Sequence, residues 1–360
     1  MFCSFFVSEK MSSQIRLRLL PRARCLFDEP VQVKVDGLRS SQMVTVRARA
    51  TDERGVAFSS SATYRADGGG VVDLERDPSL GGTYTGIEPT GLLWSMKPAT
   101  PHKRFQRTNA MNPHVVKFSV EEQEEGGRVL AEATNERLLI GDGVSRKTIK
   151  DGNIRGVLFT PPGEGPFPAV LDLYTFGGGL SERRASLLAS RGFLVLTVAL
   201  YGHEDMPKAI QVVHLDYFEE AIRLLKKQNG VGSNDIGVIS MSKSADLALS
   251  IASFLSGVAA TVWINGCCSN VMLPLHFRGK QLLPGLRLDV DKLIPPKDES
   301  GAADGRKVLR DPLAEENQAA LVPVERAECV FLFAAAATDH NWDSGEHGGG
   351  GGAAPTEGEL

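Results

Sequence analysis

Ser240-Met241-Ser242-Lys243-Ser244 lies between an apolar strand-like run, Ile236 to Ile239, and a helix-like run with Leu247, Ile251 and Leu255 on one stripe. A serine hydroxyl becomes a competent nucleophile when it is held at an exposed, sharp turn with a general base within reach. A strand-turn-helix elbow supplies such a turn with Ser242 at its tip, and it aims backbone N–H groups at a developing oxyanion. The residue after the nucleophile, Lys243, would donate one of them. Small residues two places either side let strand and helix pack closely. Glycine is usual there, and this chain has Ser240 and Ser244, whose Cβ atoms make the turn harder. The chemistry implied is acyl transfer. The plainer reading of the same residues is a serine-rich helix start with Ser240 or Ser242 as N-cap.

Acyl transfer needs partners. Phe176-Gly177-Gly178-Gly179 follows another apolar run, Ala169 to Leu173, where Gly177, Gly178 or Gly179 could add a second oxyanion N–H. Read blandly, it is a flexible loop; it has neither dinucleotide-binding nor P-loop spacing. Asp339 lies past Val330 to Phe333, in the order serine then acid, and could orient a histidine or simply cap a turn. The histidine is the gap. His340 is adjacent to Asp339, a spacing that suits triad geometry poorly, and His347 sits in a glycine-rich tail. His203 precedes the serine and reads as a loop histidine or a substitute base. His102, His114, His214 and His276 read as structural or surface residues, so the triad histidine is absent from this reading.

The elements that must position these groups fall into two regimes. Val31, Val33 and Val35 alternate with polar residues, as do Val44 and Val46; Ala57 to Tyr64, Val115 to Val120 and Arg128 to Ala133 continue the pattern. Short strands at this spacing predict a sandwich of antiparallel sheets, or an irregular β cap on the next domain. Near Gly141 the rhythm becomes β-α-β. Strands are expected at 157–159, 169–173, 194–200, 236–239, 262–264 and 330–333, with helices near 181–190 and 210–227 and after Ser242. That alternation specifies a mostly parallel sheet whose ligands bind beyond the strands' carboxyl ends. The expected division is a flexible 1–13, a β domain over 14–140, an α/β domain over 141–342 and a disordered glycine-rich tail over 343–360.

At 360 residues the chain exceeds one typical domain. Its 42% hydrophobic and 23% charged content is that of an ordinary globular protein, and a net charge of −4 argues against nucleic acid as a partner. Cys3, Cys25, Cys267, Cys268 and Cys329 form no spaced framework, which favours reduced thiols in the cytoplasm. Adjacent Cys267 and Cys268 are a weak metal or redox candidate. No run reaches the ~20 apolar residues of a membrane span. Arginines at 16, 18, 22 and 24 leave a mitochondrial presequence open, and the Gly-Glu-Leu end lacks the peroxisomal Ser-Lys-Leu.

Several strings carry a resemblance. They include Leu26-Phe27-Asp28-Glu29-Pro30, Tyr64-Arg65-Ala66-Asp67, Gly91-Leu92-Leu93-Trp94, Tyr217-Phe218-Glu219-Glu220-Ala221, Ile264-Asn265-Gly266 and Asp339-His340-Asn341-Trp342. From about Arg16 to Trp342 the chain resembles the type I acyl-CoA thioesterases together with bile-acid-CoA:amino-acid N-acyltransferase. The resemblance implies an α/β-hydrolase domain preceded by an immunoglobulin-like antiparallel β-sandwich. It implies fatty acyl-CoA as substrate, with CoA part of that substrate and no cofactor. It assigns Ser242 as nucleophile and Asp339 as triad acid, and serine rather than cysteine implies hydrolysis rather than amino-acid conjugation. The family's histidine belongs to a Gly-His-Tyr segment beyond Asp339, which this chain lacks. The expectation is therefore a C-terminally truncated or divergent member, weak or inactive. The alternatives are a non-catalytic acyl-CoA-binding protein and an N-acyltransferase. Arg183 and Arg184 are read as solvated surface residues, or as contacts for CoA phosphates.

Overall fold

Alternation of buried and exposed side chains sets the first half of the chain, and near-continuous burial sets the sheet of the second. The computed structural model describes residues 14–101, 103–107, 109–123, 127–174, 176–232, 235–296 and 303–345. It divides into two units, Met1–Arg107 with Met111–Leu139, and Thr108–Ala110 with Ile140–Leu360. The flexible start expected over 1–13 and the tail from 346 onward lie outside the described residues. Residues 343–345 lie within them, and Ser344 is buried with its N–H donated to the Trp342 carbonyl.

The first unit is built from β1 (Arg16–Leu20), β2 (Arg24–Leu26), β3 (Gln32–Asp36), β4 (Met43–Thr51), β5 (Ala57–Arg65), β6 (Val72–Asp73) and β7 (Gly81–Gly82). A one-turn helix α1 (Gly91–Trp94) follows, then β8 (Lys97–Pro98), β9 (His114–Glu122) and β10 (Val129–Leu138). One sheet runs β1-β3-β6 and the other β2-β10-β9-β4-β5-β7, with β8 also on β5. Pairing is antiparallel except for β2 beside β10. Val33, Val35 and Val72 of one sheet share a core with Val44, Val46, Tyr64 and Phe118 of the other. Each such side chain contributes roughly 1.5–3 kcal/mol by leaving water, and the period of two forces one register.

The second unit contains β11 (Ser145–Asp151), β12 (Ile154–Thr160), β13 (Ala169–Tyr174), helix α2 (Arg183–Ser190), β14 (Leu194–Val198), β15 (Val213–His214) and α3 (Leu215–Lys226). It continues with β16 (Ile236–Met241), α4 (Lys243–Phe254), β17 (Val258–Ile264), β18 (Leu275–Phe277), β19 (Lys280–Leu283) and β20 (Val330–Ala334). Its main sheet runs β11-β12-β14-β13-β16-β17-β20 and is parallel from β14 to β20. After β13 the chain moves to one side for β14 and later returns to the other for β16. That reversal makes the carboxyl ends of β13 and β16 a topological switch point, the place where open α/β sheets take their ligands.

Candidate active site

Two segments border this switch point, the glycine loop after β13 and the turn after β16. Ser242 occupies that turn with φ 60° and ψ −137°, a conformation that costs a non-glycine residue energy and is held here from both sides. The Ser242 N–H donates to the Ile264 carbonyl at 2.9 Å, and its own carbonyl accepts from Ala245 N–H at 2.8 Å. The strand-turn-helix elbow is therefore formed, with Ser242 partly exposed at its tip. Lys243 opens α4, so its N–H is one of the first-turn amides without an intrahelical acceptor.

Ser240 and Ser244 stand where the elbow usually has glycine, and both are fully buried. Beside them, two residues past β17, Gly266 lets the chain approach α4 so closely that a Cβ would collide with Ala245 and the Trp263 ring. The Ser244 hydroxyl has no hydrogen-bond partner among the described residues.

The glycine loop is shaped rather than slack. Gly178 (φ +70°) lies against Tyr201 so closely that a Cβ would come within 2.7 Å of the ring. Gly179 donates its N–H to the Tyr201 carbonyl at 2.8 Å. That bond removes Gly179 from the candidate oxyanion donors and leaves Gly177, Gly178 and Lys243.

Two buried ion pairs support the site, and sequence reasoning missed both carboxylates. Lys243 Nζ lies 2.9 Å from both carboxylate oxygens of Asp246, with the Phe176 ring centroid 5.4 Å away. Asp246 Oδ2 also accepts the Val271 N–H at 2.6 Å. Burial pushes the Asp246 carboxyl up to about 6, against the pull of the Lys243 ammonium. The only local signal was a Lys-x-x-Asp spacing at the start of an otherwise apolar helix.

Arg184 donates to Asp172 Oδ1 at 2.6 Å and to the carbonyls of Tyr174 and Ile239 at 3.3 Å, joining α2 to the ends of β13 and β16. It is neither a solvated arginine nor a free phosphate contact. Burial raises the Asp172 carboxyl, with Arg184 opposing. Asp172 sat inside an apolar run that gave no hint of an ion pair.

Asp339 follows β20, two strands from β16 in the same sheet. Its Oδ1 accepts the Asn341 N–H at 2.9 Å. The loop that carries it is fixed by Asn265, whose side chain accepts Ala336 N–H at 2.7 Å and whose carbonyl accepts Trp342 Nε1 at 2.9 Å. Among the described residues no histidine hydrogen-bonds to Ser242 or Asp339. His203 lies 3.8 Å from Glu204, His340 is exposed, and the His214 and His276 rings pack together at 5.8 Å. His114 belongs to the first unit; His102 and His347 lie outside the described residues. Cys267 and Cys268 have no third metal-type ligand among the described residues, and no described helix is long and apolar enough to cross a membrane.

Two family profiles match the chain. The acyl-CoA thioester hydrolase/BAAT N-terminal region covers residues 28–151, and the BAAT/acyl-CoA thioester hydrolase C-terminal region covers 213–349. Mouse acyl-coenzyme A thioesterase 5 is 43% identical over 91% of this chain and 77% of its own length. Human acyl-coenzyme A thioesterase 2, mitochondrial, is 44% identical over 91% of this chain and 68% of its own. Human acyl-coenzyme A thioesterase 1 is 43% identical over 91% and 78%. Among solved structures, the thioesterase domain of the curacin biosynthetic pathway aligns with a TM-score of 0.27 and 20% identity, over 36% of this chain and 46% of its own.

Proposed function

Because this chain belongs to the acyl-CoA thioester hydrolase/BAAT family, we propose that Ser242 is the nucleophile for hydrolysis of a fatty acyl-CoA to free fatty acid and CoA. The observation that carries this is the strained elbow at Ser242, standing at the sheet's switch point beside the glycine loop. Ser242 Oγ attacks the thioester carbonyl carbon; the carbonyl oxygen gains the negative charge and takes N–H bonds from Lys243 and from Gly177 or Gly178. Collapse breaks the C–S bond, the proton lost from Ser242 Oγ leaves on the CoA thiol, and water then cleaves the acyl-serine to the fatty acid and returns a proton to Ser242 Oγ. No cofactor enters these steps. Asp339 would orient a base, and the described residues give it no histidine, so the 360-residue chain turns over slowly.

The finer fold reading is an α/β-hydrolase unit preceded by an immunoglobulin-like sandwich, supported by the sheet order of the second unit and the two-sheet core of the first. A cytoplasmic location is supported by the free thiols of Cys25, Cys267, Cys268 and Cys329; fractionation of a tagged chain would test it.

Release of CoA from palmitoyl-CoA by the purified chain, with Ser242→Ala beside it, tests the function. The expected result is slow, serine-dependent hydrolysis. A rate unchanged by Ser242→Ala would remove Ser242 from the chemistry, and fast turnover would remove the missing base. Asp339, which has no histidine partner among the described residues, favours one second reading, an acyl-CoA-binding protein, which would show saturable palmitoyl-CoA binding with no serine-dependent release. Acyl-glycine or acyl-taurine formed when those amines are added would point to the transferase instead.

A further inference from the structure

The first unit contains a cavity of about 600 Å³ that the proposed chemistry does not use. This volume falls inside the roughly 300–1,000 Å³ range of small-molecule sites. Phe27, Phe58, Leu93, Met96 and Phe105 form its apolar wall, and exposed Trp94 stands at its edge. The charged and titratable lining residues are Lys103, His114 and Arg137, with no carboxylate among them.

His114 is only 6% exposed, and its Nδ1 has no hydrogen-bond partner among the described residues. Rings flank it, Phe105 edge-on at 4.9 Å and Phe27 at 5.8 Å. Burial, then Arg107 and Arg137, push the imidazole down to about 4, so it is neutral near pH 7 and can offer one N–H. Arg137 is equally buried. Its guanidinium donates to the carbonyls of Phe27 and Glu29 at 2.6 and 2.8 Å and to Asn135 Oδ1 at 3.1 Å. Arg107, behind His114, is also buried; it donates to the carbonyls of Asn112 and Pro113, and its Nε is unpartnered. Two buried cations thus have only neutral hydrogen-bond acceptors among the described residues, with the Asp28 and Glu29 carboxylates acting on Arg137 through space alone, beside a buried imidazole with an unused nitrogen. Buried charge bonded only to neutral groups is costly, and an anion hydrogen-bonded there would offset part of that cost.

We propose that this cavity is a second ligand site, for an amphipathic monocarboxylate of the fatty-acid class. The carboxylate meets His114 and Arg137, and the hydrocarbon chain lies against Phe27, Leu93, Met96 and Phe105. The ligand class follows from the lining and does not rest on the hydrolase reading.

Calorimetric titration of the full chain with dodecanoate, dodecanol, dodecylamine and dodecanoyl-CoA tests the site, with Trp94 emission as a local reporter. Saturable 1:1 binding of dodecanoate is expected, at least tenfold tighter than dodecylamine, with a change in Trp94 emission. Dodecanoyl-CoA should bind here no better than dodecanol, since its acyl end carries no carboxylate. His114→Phe keeps a ring in the core and removes the orphan nitrogen. It should fold normally and lose about tenfold in dodecanoate affinity with dodecanol unchanged. Leu93→Trp should block both ligands, and Ser242→Ala should leave dodecanoate binding intact. The proposal is overturned by an absence of saturable binding below the micellar concentration, by equal affinity for the amine, or by dodecanoate binding that His114→Phe and Leu93→Trp leave untouched. Loss of binding in Ser242→Ala would place the fatty acid at Ser242 and also overturn it.

Discussion

Lys243 and Asp246 form an ion pair inside the helix that follows Ser242, and its energetics are testable in isolation. Breaking a buried pair by removing one partner costs about 3–5 kcal/mol, whereas replacing both by apolar groups can be neutral. Lys243→Met is therefore expected to lower the urea midpoint sharply, and Lys243→Met with Asp246→Leu to recover most of the loss. The pH dependence has a definite sign. Asp246 has a folded pKa of about 6, above its ordinary 3.8. Its contribution to stability is fully present below about pH 4 and is lost as pH rises through 6. Asp246→Asn should flatten that segment of the stability curve relative to the unsubstituted chain; an unchanged segment would contradict the assignment. The turn at Ser242 and Lys243 was legible because an elbow is a local feature of strand, turn and helix. Asp172 and Asn265 were not, because their defining partners come from other elements; Asp246 pairs within its own helix, but the burial that makes the pair matter comes from the elements packed round it.

Among the elements, β20 behaves least like its sequence. Val-Phe-Leu-Phe-Ala reads as a strand buried on both faces, yet Val330, Leu332 and Phe333 are 74%, 61% and 45% exposed. Among the described residues β20 pairs only with β17. An apolar edge strand is a template for pairing with another chain. The chain is expected to self-associate as concentration rises, and Leu332→Lys to suppress this in light scattering without lowering the thermal midpoint. Equal association in the variant would mean the edge is not responsible. Elsewhere the apolar runs located the other strands of the main sheet to within a few residues, except β11, whose polar Ser145–Asp151 has no apolar run to read. The third helix was expected from about 210 but begins at Leu215, because Val213 and His214 pair with Leu275 and His276 across sixty residues of sequence. Non-local pairing of that kind leaves no periodicity to read. Helix α4 showed the converse, a single apolar stripe in the sequence but burial nearly all round, with Ser250 and Ser253 satisfied by carbonyls one turn back.

At the scale of the molecule, the change from period-two alternation to β-α-β rhythm near Gly141 marked the change from two facing sheets to a mostly parallel one. The strand order that places Ser242 beside the glycine loop was not legible, since it depends on which strands neighbour each other. The second unit thus carries the proposed nucleophile, oxyanion donors and acid around one sheet, and no described histidine to link them. A soluble base should substitute for that missing link. Palmitoyl-CoA hydrolysis by the 360-residue chain, measured against imidazole concentration with Ser242→Ala subtracted, tests this most directly. The account predicts a slow basal rate that rises severalfold with imidazole in the Ser242 chain alone. A fast basal rate indifferent to imidazole, or an imidazole response of equal size in Ser242→Ala, would contradict it.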